Sequence, residues 1–202
     1  MESVPQKMHG VFGRFTLDDI WKIEAVAALA YWGASRSVQA TFPRHQLSRV
    51  PAHWQTFTSR HSSLTGTPRL ATDPVNAILN YLYAILEAEA RLAAAALGLD
   101  PGLGVLHADT IARDNLACDL MEPIRPLVDA YVLKWLASEP LRREWFFETR
   151  SGNCRLMDSF AERLGQTAPT WARAVAPVAE RVAQMMWTDR PRVSLERRSQ
   201  QP

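Results

Sequence analysis

Cysteine is nearly absent from the chain: Cys118 and Cys154 are the only two among 202 residues, and they lie in no metal-type spacing. That argues against a secreted scaffold built on disulfides. Lysine is almost as scarce. Of the 23 Lys and Arg residues, only Lys7, Lys22 and Lys134 are Lys. The Arg fork suits phosphate, although GC-rich coding produces the same bias. No run of about 18 apolar residues occurs, so no membrane span is predicted. The N-terminal stretch MESVPQKMHGVFGRF lacks the apolar region of a signal peptide. The expected location is therefore cytoplasmic. Net charge is +2, so no global basic field announces nucleic acid.

What is present is enough for a core. Hydrophobic residues make up 47% of the chain and charged residues 22%, which fits one large domain or a small pair. The periodicity is helical. Residues 1–16 read as irregular. TLDD at 16–19 resembles a capping box and opens a helix to about Trp32, with Gly33 able to end it. Residues 34–72 form a long connection with a short helix near 51–59. Asp73-Pro74 marks the entry to a long helix that Gly98 stops. Residues 98–113 form a Gly/Pro-rich loop. Asp114 or Asn115 caps the next helix, kinked by Pro123 and Pro126 and ending near Ser138. Two or three further helices follow, near 140–145, 158–165 and 168–187, with a small hairpin between them around Ser151-Gly152-Asn153. Residues 189–202 read as a disordered, Arg-rich tail. The predicted fold class is all-α, a multi-helix bundle over residues 17–188.

Three positions break the pattern. Glu24 sits in the middle of an apolar helix face made by Ile20, Trp21, Ala27, Ala28 and Tyr31. A buried carboxylate needs a cation, a hydrogen-bond network or a metal. His107 follows the apolar Leu103, Val105 and Leu106, where a satisfied core histidine is the commoner outcome. Glu122 lies one turn after Asp119 on the same face. Pro123 cannot donate to the Asp119 carbonyl, nor Pro126 to that of Glu122, so the helix is loosened at this acidic pair. One imidazole with two or three carboxylates and no thiolate is a hard or borderline donor set. It suits Mn²⁺ or Mg²⁺ better than structural zinc, and such an ion suits phosphoryl transfer on nucleic acid. On the long helix, Asn76, Asn80, Tyr83, Glu87 and Arg91 form a polar stripe. It either lines a cleft or is an exposed face with a Glu87–Arg91 pair.

Three blocks in order carry a family resemblance. They are IEAVAALAYW at 23–32, DPVNAILNYLYAILEAE at 73–89, and GLGVLHAD followed by NLACDLMEPIRP within 102–126. Together they resemble the CRISPR-associated endonuclease and integrase of the spacer-acquisition module, over about residues 17–187. Ala25 stands where the first block of the family usually has Gly.

The resemblance implies a metal-dependent DNA endonuclease and integrase. It implies Glu24, His107 and Glu122 as ligands of Mn²⁺ or Mg²⁺ and as the catalytic set, with Asp119 supporting them or serving as an alternative ligand. It implies DNA partners, the prespacer and the CRISPR repeat, a second small adaptation protein and a homodimer. Arg60, Arg69, Tyr83 and Arg113 are candidates for DNA contacts. The family places a β-rich domain before the acidic block, whereas Met1 lies 23 residues before Glu24. The expectation is thus a catalytic helical domain without that β domain. The alternative is a truncated, non-catalytic helical module that binds DNA or a protein partner.

Overall fold

The computed structural model describes residues 19, 22–23, 25–27, 29–30, 33, 38–57, 71–104 and 114–188. Five α-helices are bounded within these residues: α1 (Pro74–Ala96), α2 (Asn115–Met121), α3 (Arg125–Ser138), α4 (Asp158–Gly165) and α5 (Ala168–Thr188). Two short strands, β1 (Phe146–Glu148) and β2 (Cys154–Leu156), form the one sheet among the described residues. The predicted all-α class therefore holds, with the predicted hairpin as its β content. The chain divides into two compact units, Met1–Tyr81 with Asp129–Glu162, and Leu82–Val128 with Arg163–Pro202. None of the described helices is long and apolar enough to cross a membrane.

In the first unit, the described residues between 19 and 33 are helical, Gly33 included. Of the five apolar residues predicted to surround Glu24, only Ala27 is described, and it is exposed. Ile23, Val26 and Leu29 are exposed too. The apolar face is thus not buried at Ala27. The predicted short helix at 51–59 also differs. Two 3-10 turns form instead, Arg44–Arg49 and Ala52–Trp54, each entered from a proline. Thr56 is then drawn into an antiparallel bridge with Gln39, flanked by Ala40 N–H to Gln55 O at 3.2 Å and Phe57 N–H to Val38 O at 3.4 Å. Pairing with an earlier segment of the same backbone outcompetes a second helical turn there.

Asp73 explains the start of α1. Its carboxylate accepts the Asn76 N–H at 2.9 Å and the Asn76 side-chain amide at 2.7 Å. This is the N-cap arrangement, with the third helical N–H satisfied by the capping side chain, and Pro74 in the first position needs no donor partner. Both Asp73 and Asn76 are fully buried. Asn76 therefore does not belong to a cleft-lining stripe. Its amide serves the cap.

β1 and β2 pair with Phe146 opposite Leu156 and Glu148 opposite Cys154. Gly152 takes φ +75, the left-handed conformation the turn requires. The Cys154 N–H donates to the Ala71 carbonyl at 2.8 Å. Burial of the Cys154 thiol, reinforced by the charges of Asp73 and Glu148, pushes its pKa well above the ordinary thiol range. It is a packing residue, not a nucleophile.

An aromatic cluster forms the core of this unit. Phe160 stacks on Trp145 with centroids 4.6 Å apart and meets Phe146 edge-on at 5.4 Å. Trp54, fully buried, meets Phe146 at 6.0 Å. Trp135 approaches Phe160 at 5.5 Å, and its indole N–H donates to Glu139.

The second unit is built from four-residue spacing. Leu82, Leu86, Ala90 and Ala94 of α1 are buried at successive turns, as are Trp171, Val175, Ala179 and Ala183 of α5. α2 packs against α5. The Trp171 indole N–H donates to Thr167 Oγ1 at 2.8 Å, and that hydroxyl donates to the Leu164 carbonyl at 2.7 Å, so the polar edge of the buried ring is satisfied.

Because Phe160 holds three aromatic partners, truncating it leaves a cavity that they cannot all close. Phe160→Ala is expected to lower stability by about 3–5 kcal/mol, measured as a fall in the urea midpoint. A change under about 1 kcal/mol would show that the cluster repacks.

Candidate metal centre on a broken helix

The end of α1 begins the construction of the site. Gly98 adopts φ +70, its N–H donates to Ala95 O at 3.0 Å, and the Leu99 N–H donates to Ala94 O at 2.9 Å. This is the Schellman stop that the glycine predicts. The chain then turns through Asp100, whose carboxylate accepts the Gly102 N–H at 2.9 Å, and meets the start of α2. There the Pro101 carbonyl accepts two N–H groups of the first turn, from Leu116 at 2.8 Å and Ala117 at 3.3 Å.

The predicted cap is corrected here. Asp114 occupies the N-cap position but makes no side-chain cap bond. Its carboxylate pairs with the Arg91 guanidinium instead. Arg91 also reaches Glu87 at 3.7 Å. The polar stripe of α1 thus ends as an ion-paired face that ties α1 to the approach to α2. Gly104 presses on the same point. A Cβ there would lie 2.5 Å from Asn115 Cβ and 2.6 Å from the Asn115 carbonyl carbon. The two chain positions that flank residues 105–113 are consequently held in contact.

α2 runs to Met121 and gives way to a 3-10 turn over Glu122–Ile124 before α3 begins at Arg125. The predicted kink falls at Pro123, as the missing donors require. Asp119 and Glu122 stand on either side of the change, both half-buried. The 3-10 turn packs on α5 through a segment whose Ile124 is buried.

Glu122 is held by a residue that the sequence reading passed over. Arg125 Nη1 donates to Glu122 Oε1 at 2.7 Å, with both side chains about one-third exposed. The Arg125 guanidinium lies 4.6 Å from the centroid of the Tyr83 ring, within cation–π range. Burial works against the Arg125 charge, but Glu122 and Tyr83 outweigh it and raise its pKa above the ordinary arginine range. The signal was in plain sight: Glu and Arg three apart across Pro123, in EPIR, face each other once the chain stays helical. Tyr83, predicted for DNA contact, is therefore brought to Glu122 through Arg125.

Glu24, His107, Arg60, Arg69 and Arg113 lie outside the described residues. Among the described residues, no group of three or more His, Cys, Asp or Glu side chains gathers as a metal site. The described part of the predicted donor set is Asp119 and Glu122, two carboxylates that are both partly open to solvent. Their chemistry fits a hard divalent cation. Full coordination calls for donors beyond these two.

The helical fold recurs in solved structures. A casposase bound to its integration product covers 87% of this chain at a TM-score of 0.66 and 24% identity, with the match spanning 52% of that chain. A Cas6-RT-Cas1–Cas2 complex covers 86% at 0.65 and 19% identity, spanning 19% of that chain. These likenesses show the shared helical fold. The family model of CRISPR-associated protein Cas1 matches residues 2–167, and the chain belongs to that family. A CRISPR-associated endonuclease Cas1 of Pyrobaculum aerophilum is 31% identical over 187 residues, 93% of this chain and 55% of its own length. The chain spans about half or less of the length of the first curated relatives it matches.

The close approach at Gly104 predicts a specific cost. Gly104→Ala is expected to lower Tm by several degrees, since overpacking costs about 1–3 kcal/mol. Gly102→Ala is the control, because its Cβ would meet only the Asp100 carboxylate at 3.3 Å. Equal Tm values for the two variants would contradict the contact.

Proposed function

We propose that this chain is the helical catalytic part of a Cas1 DNA endonuclease and integrase, acting in CRISPR spacer acquisition. The match of the Cas1 family model to residues 2–167 carries the proposal. The reaction is phosphodiester transesterification. A 3′-hydroxyl of the incoming DNA attacks a phosphodiester at the repeat boundary, a new P–O bond forms, and the repeat strand leaves with its own 3′-oxygen, which takes up a proton. A bound Mn²⁺ or Mg²⁺ would supply charge neutralisation at the phosphorus and the leaving oxygen.

Glu24, His107 and Glu122 are proposed to hold that ion, with Asp119 supporting Glu122 or replacing it as ligand. The proline break supports this role for Glu122. It removes the donors that would meet the Asp119 and Glu122 carbonyls, and both carboxylates are partly open to solvent. Arg60, Arg69, Arg113 and Tyr83 are proposed to meet the DNA, the arginines at phosphates, making binding salt-dependent. The likeness to a Cas6-RT-Cas1–Cas2 complex supports a small Cas protein as partner. Prespacer and repeat DNA, and a homodimer, complete the proposed assembly.

The decisive measurement is metal-dependent nicking of branched DNA, read beside the Mn²⁺-induced rise in Tm. A site that binds only in the folded state must stabilise the fold, by about 2.7 kcal/mol at a hundredfold excess over Kd. His107→Ala is expected to abolish nicking and most of the Tm rise while leaving the metal-free Tm near that of the parent. A parent with no Mn²⁺ response would instead favour a non-catalytic helical module. An active parent matched by its His107→Ala variant would remove His107 from the site.

A further inference from the structure

Arg125 carries more than the proposed activity asks of it. Its guanidinium spends one edge on Glu122 Oε1 at 2.7 Å and lies over the Tyr83 ring at 4.6 Å. Glu122 is thereby neutralised in the metal-free chain by a neighbour three residues away. A divalent ion that takes Glu122 competes with that neighbour and places a second positive charge beside it. The two cations repel, so the guanidinium has every electrostatic reason to leave the carboxylate. Tyr83 keeps it from leaving far, because the ring face attracts a guanidinium whether or not Glu122 is shared. The side chain is about one-third exposed, so a ligand from solvent can reach part of it.

We propose that Arg125 is an exchangeable counter-ion: it holds Glu122 when no metal is bound, and on metal loading it turns its freed edge to a phosphate oxygen of the DNA. The inference rests on Glu122 being a metal ligand. Metal and DNA binding are then coupled through one residue, and the coupling is reciprocal. Metal loading creates a phosphate contact, and DNA occupying that contact removes the competitor for Glu122. Arginine suits this exchange because the same planar fork fits carboxylate and phosphate.

The test titrates Mn²⁺ into the parent, Arg125→Gln and Arg125→Lys, following Tm, and measures labelled branched-DNA binding with and without Mn²⁺ across a salt series. Arg125→Gln is expected to bind Mn²⁺ about two- to fivefold more tightly, the scale of a partly exposed ion pair. In the parent, Mn²⁺ should add about one phosphate contact to the salt slope, and Arg125→Gln should lack that increment. Arg125→Lys keeps the charge without the fork and should fall between the two. Should Arg125→Gln fail to fold, Arg125→Lys alone decides by the same two readouts. Equal or weaker Mn²⁺ binding by the glutamine variant, or an unchanged increment, overturns the coupling while leaving the metal role of Glu122 standing. A parent that does not respond to Mn²⁺ overturns both.

Discussion

Two absent backbone donors organise the described part of the candidate site. Pro123 and Pro126 cannot complete the helical ladder, so the chain that begins as α2 must change pitch at Glu122 and restart at Arg125. A continuous helix would have kept every backbone group paired and given Glu122 no special place. The break instead sets Glu122 at the start of a tighter turn, with Asp119 one turn behind and Arg125 one turn ahead. The acid and its counter-ion both lie within four residues, EPIR, followed by a second proline.

That break is tolerable because its surroundings are overdetermined. The Pro101 carbonyl satisfies two N–H groups at the start of α2, Gly104 admits the close approach of Asn115, and Arg91 binds Asp114. α5 supports both α2 and the 3-10 turn. Each of these is a modest interaction, yet they act on one short segment. Its position is set by backbone capping and steric fit more than by surface charge, which contributes little when exposed.

Much of the architecture was legible from residue pattern because the signals were local. Asp73-Pro74 and Gly98 bracket α1 through caps that need only neighbouring residues. Ser151-Gly152-Asn153 makes its hairpin because a glycine can take φ +75. Local rules misled where a distant partner intervened. Asp114 looked like a cap until Arg91 claimed its carboxylate. Asn76, by contrast, left the polar stripe for a local partner, the Asp73 carboxylate that accepts its amide. The stretch at 51–59 looked helical until Gln39 paired with Thr56. The candidate site divides in the same way: the acids, the break and the Glu122–Arg125 spacing lie in order along the chain, whereas the Tyr83 ring against Arg125 comes from a distant helix turn.

Sequence alone determined the helical class, the cap and stop of the long helix, the proline break and the membership implied by three blocks in order, since each depends on residue type and spacing over a few turns. Tertiary structure alone decided that Tyr83 meets Arg125, that Asp114 serves Arg91, and that a carbonyl of the preceding loop caps α2. Those pairings join residues 15 to 42 positions apart, and no periodicity records which group will face another once the backbone has closed.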